Sequence, residues 1–201
     1  MEDIPPEMPD STAIRLCNIK LYCGYKYKMS NDNQQLEIVM QQLEKVNVET
    51  KSTIFQMSKG MSEAEIIQSF NQQASYLFNL MIAIIRRLGK ESEYQVSGYK
   101  YLFDNAIKIN AKLPVDKFTL IVLEFAPEIY REDENCFLNM SIPDKKCSVG
   151  NEFGLIRSEM FKNLWKIMSK DDRKAIADSV ILLTSYAHAY LYKTILKNKS
   201  F

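Results

Sequence analysis

The period of the apolar positions changes along the chain, and each change marks an expected element. Residues 1–11 (MEDIPPEMPDS) show no period, and Pro5, Pro6 and Pro9 withhold the donors a helix needs. A flexible acidic tail is expected there. Next, Ile19, Leu21, Cys23, Tyr25, Tyr27 and Met29 alternate with Lys20, Tyr22, Gly24, Lys26 and Lys28. Alternation predicts a half-buried strand or extended arm over 12–29. The SNDN at 30–33 is expected to end it and to cap the first helix.

From Gln34 the period becomes helical: Leu36, Val39, Met40, Leu43 and Val46 share one face, with a break expected near Asn47. Ser62 and Glu65 form an S-x-x-E capping box before an apolar run that closes at Gly89, which is suited to the left-handed position after a helix. This central helix carries Ile66, Phe70, Leu77, Met81 and Ile84 as expected core. Ser92 with Gln95 repeats the cap pattern, and Pro114 suits a helix start followed by Phe118, Ile121, Val122 and Phe125. Pro127 should end or kink that helix, with a short element following near Asp133–Met140. SIPDKKCSVGN at 141–151 reads as a loop.

Two helices close the chain. The first carries Phe153, Ile156, Met160, Phe161, Leu164, Trp165 and Met168. The second is capped by Ser169 and Asp172, and its face runs through Ile176, Val180, Leu183, Ala187, Tyr190, Leu191 and Ile195. Asp171 and Asp172 near its start and Lys193 and Lys197 near its end suit the helix dipole. The fold expected is mainly α, a single globular helical domain of about seven helices over 30–201 with an N-terminal extended arm or short strand.

Composition narrows the function. The chain has 201 residues, with 26 basic against 25 acidic, so its overall charge does not by itself favour nucleic acid or an anionic membrane. The apolar run Leu77–Leu88 spans roughly 12 residues against the ~20 needed to cross a bilayer, so no membrane insertion is expected. Cys17, Cys23, Cys136 and Cys147 form no CxxC pair, and the acidic, proline-rich start does not resemble a secretion signal. Reduced thiols in an intracellular, cytoplasmic setting are the expectation.

Catalytic motifs are missing: there is no G-x-S-x-G, P-loop, G-x-G-x-x-G or H-E-x-x-H. His188 is the sole histidine, and its helical neighbours Thr184, Ser185, Leu191 and Tyr192 bring no carboxylate, which places it as a polar residue at the edge of a helix face. The acidic run Glu128, Glu132, Asp133 and Glu134 does not match a calcium loop and reads as a solvated helix start. No catalytic residue, metal site or cofactor is therefore expected.

The tract KLYCGYKYK at 20–28 interleaves lysines with tyrosines. On a strand, Lys20, Tyr22, Lys26 and Lys28 would share the exposed face, a mixture able to hold phosphates and stack on bases. Leu21, Tyr25 and Tyr27 would face a partner or a second copy. The plainer reading of the same lysines is an edge strand guarded against aggregation.

VDKFTLIVLEFAPEIYREDENCFLNM at 115–140 and FKNLWKIMSKDDRKAIADSVILLTSYAHAYL at 161–191 resemble small helical proteins of unknown role encoded by large cytoplasmic DNA viruses. The resemblance covers about the last 90 residues, rests on the apolar spacing around Trp165, Ser169 and Ile176, and carries over no functional residue. It implies a virus-encoded protein acting in the infected-cell cytoplasm or within a virion. The leading expectation is a non-catalytic structural or protein-interaction protein that binds a protein partner or forms a homo-oligomer. The alternatives are a helical nucleic-acid-binding protein using the arm, and a host-directed regulator using a hydrophobic groove.

Overall fold

Ten α-helices and one 3-10 turn order the described part of the chain. A computed structural model describes residues 29–139 and 158–198. The 1–11 tail, the arm up to residue 28 and the 141–151 loop lie outside the described residues. The helices are α1 (Met29–Leu43), α2 (Val48–Gly60), α3 (Glu63–Arg87), α4 (Glu91–Tyr94), α5 (Val96–Ile109) and α6 (Leu113–Val122). A 3-10 turn (Leu123–Phe125) leads to α7 (Ala126–Tyr130) and α8 (Glu134–Asn139), and the chain closes with α9 (Ser158–Ile167) and α10 (Lys170–Asn198). α4, α7 and α8 are short, so seven helices of ten residues or more form the body. The described residues hold no strand. No helix among them is long and apolar enough to cross a membrane.

Local chemistry explains several helix ends. Asn47 accepts a hydrogen bond from the Thr50 backbone N–H at 2.7 Å, which starts α2 at the expected break. At α3 the capping box is complete: the Glu65 N–H donates to Ser62 Oγ, and the Ser62 N–H donates to Glu65 Oε2 at 2.7 Å. Gly89, at φ +67°, closes the same helix, with the Lys90 N–H donating to the Ile85 carbonyl and the Gly89 N–H to that of Arg86. Ser169 accepts from the Asp172 N–H at the start of α10. Pro114 sits in the first turn of α6, and Pro127 in that of α7 after the 3-10 turn.

Two boundaries differ from the sequence reading. Met29, expected as the last residue of the arm, opens α1, so the helix begins ahead of Gln34 and SNDN lies inside it. Ser, Asn and Asp favour a first turn as well as a cap, so these residue types do not fix which turn comes first. Ser92 lies within α4 rather than capping a helix, and Gln95 joins α4 to α5 at φ 45° without a side-chain cap. Tyr94 and Val96 on either side of Gln95 are both buried. Packing thus imposes a left-handed residue that local preference would avoid.

α10 lies along α3 and also touches α2, α6 and α7, while α1 packs on the 3-10 turn, α6 and α7. The two long helices run antiparallel, and a hydrophobic cluster forms at each end of the pair. The larger joins Ile66 and Phe70 of α3 to Leu183, Ala187 and Leu191 of α10, closed by Val39, Ile54, Val115 and Leu123. Phe70 meets Phe118 edge-on, ring centroids 5.2 Å apart. The smaller gathers Met81, Ile84 and Ile85 with Tyr94, Leu164, Trp165, Met168 and Ile176. Trp165 is 2% exposed and stacks at a tilt on Phe161, the core position its spacing implies.

Trp165→Ala should cost about 3–5 kcal/mol by emptying the centre of the smaller cluster, as read by urea denaturation followed by circular dichroism. A glycine pair separates backbone strain from packing. A Cβ at Gly89 or at Gly98 of α5 would meet nothing within 4 Å, but only Gly89 has a positive φ. Gly89→Ala should therefore destabilise by about 1 kcal/mol, while Gly98→Ala should stabilise by about 0.4–1 kcal/mol. The same urea titrations check both signs.

Candidate functional site

The seven arm residues singled out in the sequence, Lys20, Leu21, Tyr22, Tyr25, Lys26, Tyr27 and Lys28, lie outside the described residues. Within the described body, chemistry-bearing side chains converge at His188, at a polar cluster beside α6, and along a groove between α3 and α5.

His188 is fully buried, not at the edge of a helix face. It lies between Ala187 and Ala189, both buried, and α2 and α7 both pack against its helix. Its ring lies against Tyr192, centroids 4.5 Å apart, and Nδ1 is 3.5 Å from the Tyr130 hydroxyl of α7. Nε2 is buried and meets no hydrogen-bond partner among the described residues. Burial, with the Lys51 charge behind it, pushes the imidazole pKa down from 6.5 to about 4, so the ring is neutral at pH 7. Burial likewise raises Tyr130 well above the ordinary tyrosine range. The imidazole is neutral and the phenol beside it protonated, so the pair carries no charge at pH 7.

Members of the acidic run are taken up by partners in their own turn and on α10. Glu128 pairs with Arg131 at 3.3 Å, Asp133 accepts from the Asn135 N–H at 2.9 Å, and Glu134 reaches Arg173 at 3.6 Å. Among the described residues, no group of three or more His, Cys, Asp or Glu is placed to hold a metal ion.

The polar cluster gave no sequence signal. Tyr190 of α10 donates to Asp116 of α6 at 2.7 Å, and Lys112 donates to Glu63 of α3 at 3.2 Å. The Lys112 ammonium also lies 5.4 Å from the centre of the Tyr190 ring. Burial raises the Asp116 pKa, opposed by the Tyr190 hydrogen bond and by the charges of Lys112 and Lys117. The paired residues stand 74 and 49 positions apart, so no local spacing reveals them. Lys193 is similar. Expected to serve the dipole of its own helix, it donates instead to the Ser58 and Met61 carbonyls at 2.9 and 2.7 Å, closing the C-terminus of α2.

Next to Glu63 and Lys112 in sequence, Ala64 and Ala111 mark one end of a groove of about 500 Å³. Its other lining residues are Ile67, Gln68, Asn71, Gln72 and Ser75 of α3 and Ile107 of α5. The Asn71 side-chain amide donates to the Ala111 carbonyl at 2.8 Å and ties the α5–α6 connection to α3. Aliphatic, amide and hydroxyl groups form this lining, with no ionisable side chain. Such a surface suits apolar contact edged by hydrogen bonds rather than acid–base chemistry.

The chain is 59% identical over 172 residues to an uncharacterized protein of Acanthamoeba polyphaga mimivirus, a match spanning 85% of this chain and 96% of that protein. The similarity reaches well beyond the C-terminal half that the resemblance in the sequence covered. No protein-family model and no solved structure matches the chain.

Tyr190→Phe removes the donor that holds the partly buried Asp116 carboxylate and should cost about 1–3 kcal/mol at pH 7. An acid whose folded pKa is raised stabilises the fold fully below its unfolded pKa and loses that contribution as pH rises through the folded value. Losing the tyrosine donor raises that folded value further, so the difference between the two proteins should shrink toward pH 4. Paired urea titrations at the two pH values check this, since the His188 contribution cancels in the difference.

Proposed function

Since the chain belongs to one family with that mimivirus protein, we propose that it is a non-catalytic structural or protein-interaction protein of a virus, acting in the infected-cell cytoplasm or within the particle. The observation that carries this reading is the way the described body divides its side chains. Its one imidazole is sealed in the core, while large apolar side chains stand in solvent on the helices that wall the groove: Tyr76 on α3, and Tyr101 and Ile109 on α5, the last two each 67% exposed. Exposed apolar side chains on the two helices that wall the groove favour association with another protein surface, and others stand out on α1, α2, α9 and α10. The partner proposed is a second copy of the chain, with Leu21, Tyr25 and Tyr27 of the arm adding contact area.

Sedimentation of the full chain over a wide concentration range tests the reading. The wild type should self-associate. Tyr101→Glu with Ile109→Glu should weaken that association at least tenfold, about 1.4 kcal/mol, without loss of helicity. A strict monomer at high concentration sinks the self-association reading. If that monomer also bound nucleic acid at low salt, and alanine at Lys20, Lys26 and Lys28 flattened the salt dependence, the arm would be a nucleic-acid contact instead.

A further inference from the structure

Among the described residues, His188 is an ionisable group that the proposed association leaves without a role. It lies where three elements meet. Tyr130 comes from α7, Tyr192 lies one turn further along α10, and Phe55 of α2 meets Tyr192 edge-on at 5.7 Å. The titratable groups around the ring are Tyr130 from α7, Tyr192 from its own helix and Lys51 from α2. Beyond Lys51, Glu44 in the α1–α2 turn pairs with that lysine at 3.9 Å. The influences on the ring's charge are burial and the Lys51 ammonium, both of which oppose a proton. An imidazolium has two N–H donors. Nδ1–H could turn to the Tyr130 oxygen, but Nε2–H would meet no hydrogen-bond partner among the described residues.

The elements covering the ring are not equally anchored. α2 is fixed at one end by the Asn47 cap and at the other by the Lys193 ammonium on its last carbonyls. α7 has five residues, enters from a 3-10 turn and leaves through Glu132 at φ 55°. Buried Ala126, Pro127 and Ile129 hold it in place, and the Tyr130 hydroxyl reaches across to the His188 ring. A short element bounded by two turns opens at lower cost than a capped helix of 13 residues.

We propose that His188 is the pin of an acid-sensitive latch, in which uptake of one proton by its imidazole releases the α7–α8 segment, Ala126–Asn139, from α10 while the rest of the helical body stays folded. The closed state takes up the proton only near pH 4, whereas an opened, hydrated ring takes it up near 6.5. Opening therefore gains roughly tenfold per pH unit between those values, roughly 300-fold in all, and the gain stops below the lower one.

Amide hydrogen exchange of the full chain between pH 7 and pH 4, each rate divided by that of an unstructured chain at the same pH, reads the latch. Protection across 126–139 should fall along that course in the wild type, while α3 and the middle of α10 stay protected. In His188→Gln it should not change with pH. A fall shared equally by every helix, or one that persists in His188→Gln, overturns the proposal. Should the variant not fold, the wild type still decides, because its single histidine gives one imidazole resonance. A midpoint well below 6.5 that tracks the loss of protection in 126–139 supports the latch. A midpoint near 6.5 with that segment still protected overturns it.

Discussion

A helix enclosed on several sides must answer every polar group it carries inward, and α10 is under that constraint for much of its length. Its sequence is not purely apolar: Ser179, Thr184 and His188 are all buried. Thr184 Oγ1 donates back to the Val180 carbonyl at 2.8 Å, and Ser185 and Thr194 do the same one turn behind themselves. These hydroxyls cost little to bury because the helix itself supplies the acceptor. Tyr190 and Lys193 are too long for that solution and find partners on other helices, Asp116 on α6 and the end of α2. The neighbours of α10 are thus positioned by polar contacts as well as by apolar burial. Among the described residues, His188 Nε2 and Arg173 Nε are buried nitrogens of this helix that meet no hydrogen-bond partner.

What could be read along the chain was whatever is decided within about one helical turn. Ser62 with Glu65, Asn47, Gly89, Ser169 with Asp172, and Pro114 each act on backbone groups a few positions away, and the structure places each as the sequence implied. Burial of Trp165 agreed with its neighbours at helical spacing. The misses share the opposite property. The seal over His188 comes from Tyr130, 58 positions away, and the role of Lys193 depends on carbonyls more than 130 positions away. At Gln95, burial of Tyr94 and Val96 overrides local preference. The candidate groove is of the same kind, since its walls come from two helices and a connection that no sequence pattern links.

The polar cluster and the groove also show why a motif search finds little in this chain. Glu63, Lys112, Asp116 and Tyr190 touch one another yet come from three helices and the link before α6. Each is commonplace in its own segment. Their arrangement holds α3, α6 and α10 in register, and the Asn71 contact with the Ala111 carbonyl extends that hold to the wall of the groove. The shape of the outer face is therefore set by contacts lying just beneath it.

The split of the apolar interior into two clusters along one antiparallel pair has an optical consequence. The chain has one tryptophan, and it lies wholly within the smaller cluster. Its emission reports on the end of the molecule where α3 finishes and α10 begins. The larger cluster, with Phe70, Phe118 and Tyr190, is dark at wavelengths that excite only indole. Fluorescence and far-ultraviolet ellipticity therefore sample different parts of this protein, and any lag between their transitions measures how tightly its two apolar centres are coupled.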